Sequence, residues 1–315
     1  IYTLSLHDAL PILASSFFDV SMGMGFGSRN IDFDNVDTYS GEKSINLKFR
    51  TATVVQAEGA YFLNKFFGIG GRLRVRTSPI NGWSNFMQIA EQDVATTLKD
   101  LQEMETDMDE AGLNPTNMKM SDMITDKEIT IESDHLTEFA GDVGFYFNIP
   151  LNDRWAIGTK LLIGRSIMQA LDINAKFMGQ VKDIDYNLTV SNGMLTDLNI
   201  NSITNLKDDA GEDVKYETSW DYITVDGNNS TKWGTGISLT YAYKGNFCWK
   251  VFFDFDRTRK TYTLTYDPEH YMAEAMPKIE GLYTILLGEA TKPYVYKTKK
   301  YMNTWVLGAS FSISF

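Results

Sequence analysis

The chain has 315 residues, a formal net charge of −12 and one cysteine, Cys248. The excess of acids argues against a nucleic-acid partner, and a single cysteine excludes both an intrachain disulfide and a cysteine metal cluster. Mean hydropathy is −0.23, and no run of about 18 apolar residues is present that could form a transmembrane helix. A membrane protein with alternating apolar and polar residues stays compatible with this composition, because alternation hides the hydropathy signal.

The first twelve residues have an unusual origin. Residues 1–12 read I-Y-T-L-S-L-H-D-A-L-P-I, which is the in-frame translation of a common short-read sequencing adaptor. We expect this segment to be non-native and the reading frame to be metagenomic, so residues 1–12 carry no information about the natural fold. Residues 13–315 then form one unit, and we expect its natural N-terminus, with a signal peptide, to lie upstream.

From Phe18 onward, apolar side chains alternate with small or charged ones in eight separate stretches. A period of two places alternate side chains on opposite faces of a β-strand. Each stretch is long enough for the roughly 9–11 residues of a tilted membrane strand. The stretches are residues 18–27, 47–61, 67–76, 138–149, 155–164, 233–243, 247–256 and 305–315.

Short and long connections alternate between these predicted strands. The short ones contain turn residues and comprise residues 63–65, 150–154 and 244–246. The long ones comprise residues 28–45, 77–136, 166–232 and 267–302. A soluble domain seldom has structureless loops longer than about 12–15 residues. An up-and-down membrane barrel, in contrast, combines short periplasmic turns with long outer loops.

The last strand carries the most specific signal. Trp305, Phe311, Ile313 and Phe315 are apolar and largely alternate with small polar residues. Such a strand resembles the closing strand and assembly signal of bacterial outer-membrane β-barrels. Together with the alternating connections, it makes residues 16–315 resemble an OmpA-type eight-stranded barrel of Bacteroidota style.

This resemblance implies a fold, a location and partners. The predicted fold is all-β: an eight-stranded antiparallel up-and-down transmembrane β-barrel with four long outer loops, one containing a helix. It implies the cell outer membrane, contact with its lipid and lipopolysaccharide, a monomeric state, and recognition of the C-terminal strand by the barrel-assembly machinery. The alternative is a soluble lipocalin-like barrel, whose apolar face would point inward.

The polar face of the predicted strands carries nearly balanced charge. Buried charges are tolerated when they are paired and hydrogen-bonded, and an eight-stranded barrel is just wide enough for side chains to fill it. We therefore predict a salt-bridged plug, with a gated ion path as the alternative. The predicted lumen network consists of Asp19, Lys48, Arg50, Glu58, Arg72, Arg74, Arg76, Glu138, Asp142, Lys160, Lys250, Asp254 and Asp256.

The connection over residues 77–136 is acidic and contains a helical pattern. It contains thirteen acidic residues and three basic residues. An apolar stripe at spacings of three and four predicts a helix over residues 84–111. We expect it to dock on the other long loops or on a partner. The stripe residues are Ala90, Val94, Leu98, Leu101, Met104 and Met108. Divalent cations shared with lipopolysaccharide are an alternative role for the acids, but no ligand-spaced motif supports a metal site.

No residue pattern predicts catalysis or a cofactor. Ser133, Asp134 and His135 are adjacent, and neighbouring strand residues point to opposite faces, so they cannot form a triad alone. His270 lies in the last long connection, near Asp267. The predicted function is a non-enzymatic membrane anchor and scaffold for surface loops. The alternatives are a lipid A-modifying enzyme at the rim, or the C-terminal barrel of a longer enzyme such as a type-2 phosphatidic-acid phosphatase fusion.

Overall fold

The computed structural model describes most of the chain after residue 15, so residues 1–12 and Phe315 lie outside the described part. The described residues are 16–27, 30–38, 40–80, 84–86, 88–89, 91–93, 96, 99, 103, 106, 124–191, 194–208, 210–213, 215–244, 246–266 and 294–314. No helix among them has the length and hydrophobicity needed to cross a membrane.

The described residues contain fourteen β-strands, and those between 86 and 106 are helical. Strand pairing is antiparallel throughout. The strands are β1 (Phe17–Gly27), β2 (Asn30–Thr38), β3 (Gly41–Lys48), β4 (Ala52–Phe62), β5 (Phe67–Ser78), β6 (Ile124–Ser133), β7 (Leu136–Pro150), β8 (Trp155–Met168), β9 (Leu171–Ser191), β10 (Met194–Asn205), β11 (Lys215–Gly227), β12 (Ser230–Lys244), β13 (Phe247–Tyr266) and β14 (Tyr294–Ser314).

Eight of the described strands pair in a closed ring. Its order is β1, β4, β5, β7, β8, β12, β13 and β14, and each of the eight sequence stretches with alternating residues overlaps one of these strands. Strand β14 closes the ring, because Phe311 lies opposite Trp249 of β13 on one side and Val20 of β1 on the other. Closure leaves no free strand edge in the ring, so its main-chain groups are satisfied within the sheet.

The ring has an apolar outer face and a polar inner face. Strand β13 is typical. Trp249 and Val251 are exposed, whereas Lys250, which lies between them, and Asp254, further along the strand, are buried. Phe311 and Ile313 of β14 are exposed on the same outer surface. The all-β antiparallel prediction is therefore confirmed, and the lipocalin-like alternative is wrong because the apolar side chains point outward.

Beyond the ring the sheet continues on the side of the long connections. The upper part of β13 pairs with β11, from Tyr262 opposite Gly227 to Tyr266 opposite Ile223. Strand β11 pairs in turn with β9, which also pairs with β6 and β10. The long connection over residues 166–232 is thus mainly strand. The alternation of Leu171, Ile173 and Phe177 predicts strand extensions there, and the pairing of β9 with β11 confirms them.

A separate hairpin corrects the predicted second strand. Strands β2 and β3 pair only with each other, with Asn30 opposite Lys48 and Thr38 opposite Gly41. The main chain leaves this hairpin before β4 begins at Ala52, and Phe49 forms an isolated bridge with Ile80. The predicted strand over residues 47–61 is therefore two strands, because the hairpin takes its first residues out of the ring.

The strand extensions, the hairpin and the helical segment share one hydrophobic core at the long-connection end of the ring. We call this assembly the outer cap. Its side chains are shielded from water on every side, and each Leu-sized group buried in this way stabilises the fold by roughly 1.5–3 kcal/mol. Its core includes Ile31, Phe33, Val36, Ile45, Leu47, Phe49, Phe86, Ile89, Leu136, Met168, Leu171, Ile173, Tyr222, Val225, Tyr262, Leu264, Tyr266 and Met302.

Candidate functional site: the barrel interior, its outer cap and its surface

The outer surface of the ring is an apolar band. On β13 it runs from Phe247 to Phe255, eight residue steps, which is roughly 26 Å along a strand and about 20 Å of depth at a tilt near 40°. This approaches the roughly 25 Å apolar band of membrane barrels. Exposed members from the other ring strands are Val20, Met22, Met24, Val55, Ile69, Leu73, Val143, Phe145, Leu161, Ile163, Ile237, Leu239, Leu307 and Ile313.

Aromatic side chains border this band at both ends. At the end of the short turns, the rings of Trp155 and Tyr241 lie 4.8 Å apart between centroids. At the opposite end, Trp305 stacks on Phe253 at 5.2 Å and contacts Phe255 at 4.4 Å. Amphipathic rings favour the boundary between hydrocarbon and water. The two aromatic rims therefore mark the limits of a lipid-facing surface.

The middle of the barrel interior is organised by Arg72. Its Nη1 donates to Asp254 Oδ2 at 2.8 Å, and its Nη2 donates to Asp256 Oδ1 and Asp142 Oδ2, each at 2.7 Å. All of these side chains are at least nine-tenths buried. Arg74, the next inward residue on β5, also pairs with Asp254 and Asp256. Two guanidinium groups and three carboxylates thus share the centre of the lumen.

A second group of charges lies towards the short turns. Lys160 Nζ is 2.5 Å from Glu58 Oε2 and 3.0 Å from Asp254 Oδ1. Lys250 Nζ lies 3.3 Å from Glu58 Oε1 and also pairs with Asp19. These residues come from four strands of the ring. Glu58 therefore links two lysines, and Lys160 connects this group to the central cluster.

A third group lies towards the cap. Lys260 Nζ is 2.9 Å from Glu138 Oε1, and Arg76 pairs with the other oxygen of the same carboxylate. Lys232 Nζ lies 2.9 Å from Asp142 Oδ2 and 3.5 Å from an oxygen of Asp256, which joins β12 to the central cluster. Beyond this layer the apolar core of the cap begins, with Leu136, Met168 and Met302 buried. The ion pairs therefore extend from the short-turn end of the lumen to the cap.

The structure brings together eleven of the thirteen predicted lumen residues and separates two. Lys48 lies half-buried in the hairpin and Arg50 is exposed just after it, so neither belongs to the interior. The prediction was wrong for both because it assigned the hairpin residues to a ring strand. Among the described residues, Lys232 and Lys260 take their place, with 4% and 0% exposure. Continuing the alternation of β12 and β13 by a few residues would have identified both.

Glycines of β12 make room for this network. Gly234 and Gly236 lie opposite Asp256 and Asp254 on β13. A Cβ atom at Gly236 would collide with Asp254 Oδ1 and lie 2.8 Å from Lys160 Cε, and one at Gly234 would collide with Asp256 Oδ1. At these two positions the inner face of β12 therefore accommodates charged side chains of the neighbouring strands in place of side chains of its own.

The interior retains small cavities. One of about 80 Å³ lies near the short turns, lined by Phe17, Glu58, Tyr146, Lys250 and other residues of the lower lumen. Another, of about 30 Å³, lies beside Arg76 and Glu138. The first has room for roughly five to eight water molecules and the second for two or three, since a cavity needs about 10–15 Å³ of this volume per water. Ordered water there would complete the hydrogen bonding of buried polar atoms.

The helical segment is attached to the cap through Asp93. Asp93 is 5% exposed. Its Oδ2 accepts a hydrogen bond from Tyr222 Oη at 2.6 Å and another from Tyr266 Oη, and its Oδ1 accepts one from the main-chain N–H of Ser40 at 2.9 Å. Burial is the main reason that the pKa of Tyr222 is raised above its usual value. One carboxylate thus connects the helical segment, β11, β13 and the turn between β2 and β3.

The predicted apolar stripe of the helix lies outside the described residues. Of the predicted range 84–111, Phe86 and Ile89 pack in the cap core, and both precede that stripe in the sequence. Docking of this segment on the other long connections is supported for these two side chains. The sequence pattern does not identify Asp93 as a contact, because its partners Ser40, Tyr222 and Tyr266 are distant in the sequence.

The residues that the sequence analysis considered for catalysis are not assembled into a site in the described part of the chain. No group of His, Cys, Asp and Glu among the described residues is arranged to hold a metal ion. Ser133, Asp134 and His135 are all exposed at the rim, and no hydrogen bond joins their side chains in the described part of the chain. His270 lies outside the described residues. The geometry at this rim therefore does not form a catalytic triad.

Solved structures of outer-membrane proteins match this chain along most of its length, at low identity and low TM-score. OprG of Pseudomonas aeruginosa is 6% identical with a TM-score of 0.45, covering 96% of this chain and 97% of that one. Neisserial surface protein A is 6% identical with a TM-score of 0.35, covering 95% and 97%. The outer membrane protease OmpT of Escherichia coli is 11% identical with a TM-score of 0.35, covering 96% and 97%. Such distant likenesses assign no role to this chain.

No protein-family model matches the sequence, and no curated protein sequence matches it. The surface itself identifies the environment. A closed antiparallel ring with an apolar exterior, aromatic rims and a charged interior is the β-structure that spans a bilayer, as in outer-membrane proteins. The protein is located in the outer membrane.

Proposed function

We propose that this chain is an eight-stranded up-and-down barrel of the OmpA type that acts as a closed membrane anchor and as the scaffold of its outer cap. The observation that carries the proposal is the interior network. Arg72 and the three aspartates around it occupy the centre of the lumen, and the cap core covers the end of the barrel beyond Glu138. A lumen filled in this way holds the strands together and leaves the cap as the part exposed to partners.

The proposed partners follow from the two surfaces. Outer-membrane lipid and lipopolysaccharide surround the apolar band. The barrel-assembly machinery recognises β14, whose Phe311 and Ile313 face outward. A single closed ring needs no second copy to satisfy its strand edges, so the proposed state is a monomer.

Planar-bilayer recording tests the closed lumen. The protein is refolded in detergent, its folding is checked by heat-modifiable gel migration, and it is inserted into a bilayer. The intact barrel is expected to give no stable large conductance. The double variant Arg72→Ala/Arg74→Ala is the positive control, since it removes both guanidinium groups from the centre of the lumen. A stable large conductance of the intact barrel would overturn the proposal and favour the gated ion path.

A further inference from the structure

The outward face of β13 and β14 changes from apolar to basic just beyond the aromatic rim. Phe255 and Trp305 are opposite each other and belong to the rim. The following outward positions carry four exposed cations on the two paired strands. We call them the basic patch: Arg257, Arg259, Lys297 and Lys299.

The patch differs from the other cations of these strands in its pairing. Lys260 and Lys300, which alternate with the patch residues on the inner face, bind Glu138 and Asp32 at 2.9 and 2.6 Å. Within the described part of the chain, none of the four patch cations forms an ion pair. On a chain of net charge −12, four neighbouring cations with no ion pair to a described residue are a local reversal of charge.

Tyr301 organises the two arginines. It lies directly opposite Arg259 in the β13–β14 pair. The Cζ atoms of Arg257 and Arg259 are 4.5 and 5.4 Å from the centroid of its ring. Cation–π contacts of this kind hold guanidinium groups in place. Two guanidinium groups held side by side offer several N–H donors in the fork geometry that suits phosphate oxygens.

The position of the patch along the strands, relative to the aromatic rim, indicates which kind of ligand it contacts. Arg257 follows Phe255 by two residues, or roughly 7 Å along the strand. The lipid-facing surface is therefore continuous with the patch, and a lipid whose acyl chains contact Val251 and Leu307 brings its headgroup to the level of the arginines. A dissolved anion has no comparable contact with the apolar band.

We propose that the basic patch binds the phosphorylated headgroup of a lipid of the outer leaflet, with lipopolysaccharide as the chemical class. Arg257 and Arg259, held by Tyr301, donate to phosphate oxygens. Lys299 and Lys297 extend the positive surface further from the membrane. This inference rests on the proposed barrel in the outer membrane and adds a specific lipid site to it.

The test measures binding of purified lipopolysaccharide to the refolded protein in a neutral detergent. The variant Arg257→Ala/Arg259→Ala is compared with Arg154→Ala/Lys65→Ala, which removes two exposed cations at the short turns. Losing two charge-assisted contacts is expected to weaken binding by roughly tenfold or more. The control is expected to stay within about twofold, since exposed charges far from a ligand are screened by salt. Equal affinity of the patch variant and the control would overturn the inference.

Two further arms identify the ligand. Enzymatically dephosphorylated lipopolysaccharide is expected to bind the intact protein as weakly as the phosphorylated form binds the patch variant. Inorganic phosphate at about tenfold molar excess over the lipid is expected to leave the lipid bound, because it lacks acyl chains for the apolar band. Full displacement by phosphate would overturn the lipid assignment in favour of a site for the free anion.

Folding controls separate this inference from the proposed function. Each variant is first tested for heat-modifiable migration and for insertion into phosphatidylcholine vesicles. Failure of the intact protein to insert would contradict the proposed barrel. Insertion of all variants with no difference in lipopolysaccharide binding would contradict the basic patch alone. The Arg257→Lys/Arg259→Lys variant is expected to bind with intermediate affinity, because it keeps the charge and loses the fork geometry.

Discussion

Arg72 donates two hydrogen bonds to one oxygen of Asp142, from Nε at 2.9 Å and from Nη2 at 2.7 Å. The two residues are directly opposite each other on β5 and β7. Both side chains are fully buried. The same guanidinium then reaches across the lumen to Asp254 and Asp256 on β13. One residue thus connects neighbouring strands and opposite walls of the barrel.

Replacing Arg72 by Met is expected to destabilise the barrel strongly. The change leaves Asp142, Asp254 and Asp256 in the lumen without their shared partner, and a buried charge that loses its partner typically costs about 3–5 kcal/mol. Urea unfolding of the refolded protein, followed by tryptophan fluorescence, measures the difference. Arg154→Met is the matched control, because that side chain is exposed at a short turn. A loss below about 1 kcal/mol would show that the remaining cations compensate.

Replacing Gly236 by Ala is expected to destabilise the barrel by about 1–3 kcal/mol, the usual cost of overfilling a packed interior. The added methyl group would collide with Asp254, whose carboxylate is held by Arg72 and therefore cannot move freely. Ala309→Val adds bulk on the lipid-facing side of the same barrel and serves as control. Equal unfolding midpoints for the two variants would contradict the close packing described for the lumen.

A charge on the apolar band is expected to hinder insertion. Val251 is 55% exposed at the middle of the band on β13, and an arginine at the bilayer midplane of such a barrel costs about 2–4 kcal/mol. Val251→Arg should therefore lower the folded yield in vesicles relative to Thr231→Arg. Thr231 is also exposed but follows Ser230 at the start of β12, beyond the aromatic rim. Equal yields for both variants would argue against Val251 facing lipid.

Removing Asp93 is expected to loosen the outer cap without opening the ring. Asp93→Ala removes the acceptor that Tyr222, Tyr266 and the N–H of Ser40 share, and a buried donor that loses its acceptor costs about 1–3 kcal/mol. Limited proteolysis should cut faster within residues 84–106 while the barrel band stays intact. Glu91→Ala, two residues away and exposed, is the control and should leave the cleavage rate unchanged.

The cap is expected to lose stability above about pH 10. Burial raises the pKa of Tyr222 in the folded cap above its usual value near 10. Above that pH the unfolded state has released the phenolic proton and the folded state still holds it, so the free energy of unfolding falls as pH rises. Tyr222→Phe should give a shallower fall in protease protection between about pH 10 and 12. Tyr61→Phe, an exposed tyrosine, should behave like the unchanged protein.

The sequence by itself determined which faces of the strands meet lipid. Alternation is a local property, because successive side chains of a strand point to opposite sides whatever the strand pairs with. Phe311 and Ile313 therefore face outward, and Arg72 and Asp254 face inward, as their parity indicated. The same alternation, continued a few residues along β13, also predicts that Lys260 faces inward. Outer-membrane location followed from this pattern and is confirmed.

Only the tertiary structure decided which charges pair and what the long connections form. Arg72 and Asp254 are 182 residues apart, and their contact depends on strand register and on closure of the ring, which no local pattern encodes. Lys48 lies outside the lumen because β3, which contains it, pairs with β2 and not with a strand of the ring. Asp93 became the attachment point of the cap because Tyr222 and Tyr266 converge on it from two strands. The chain itself sets which face of a strand each side chain occupies. The register of the whole sheet sets which side chains meet across the lumen.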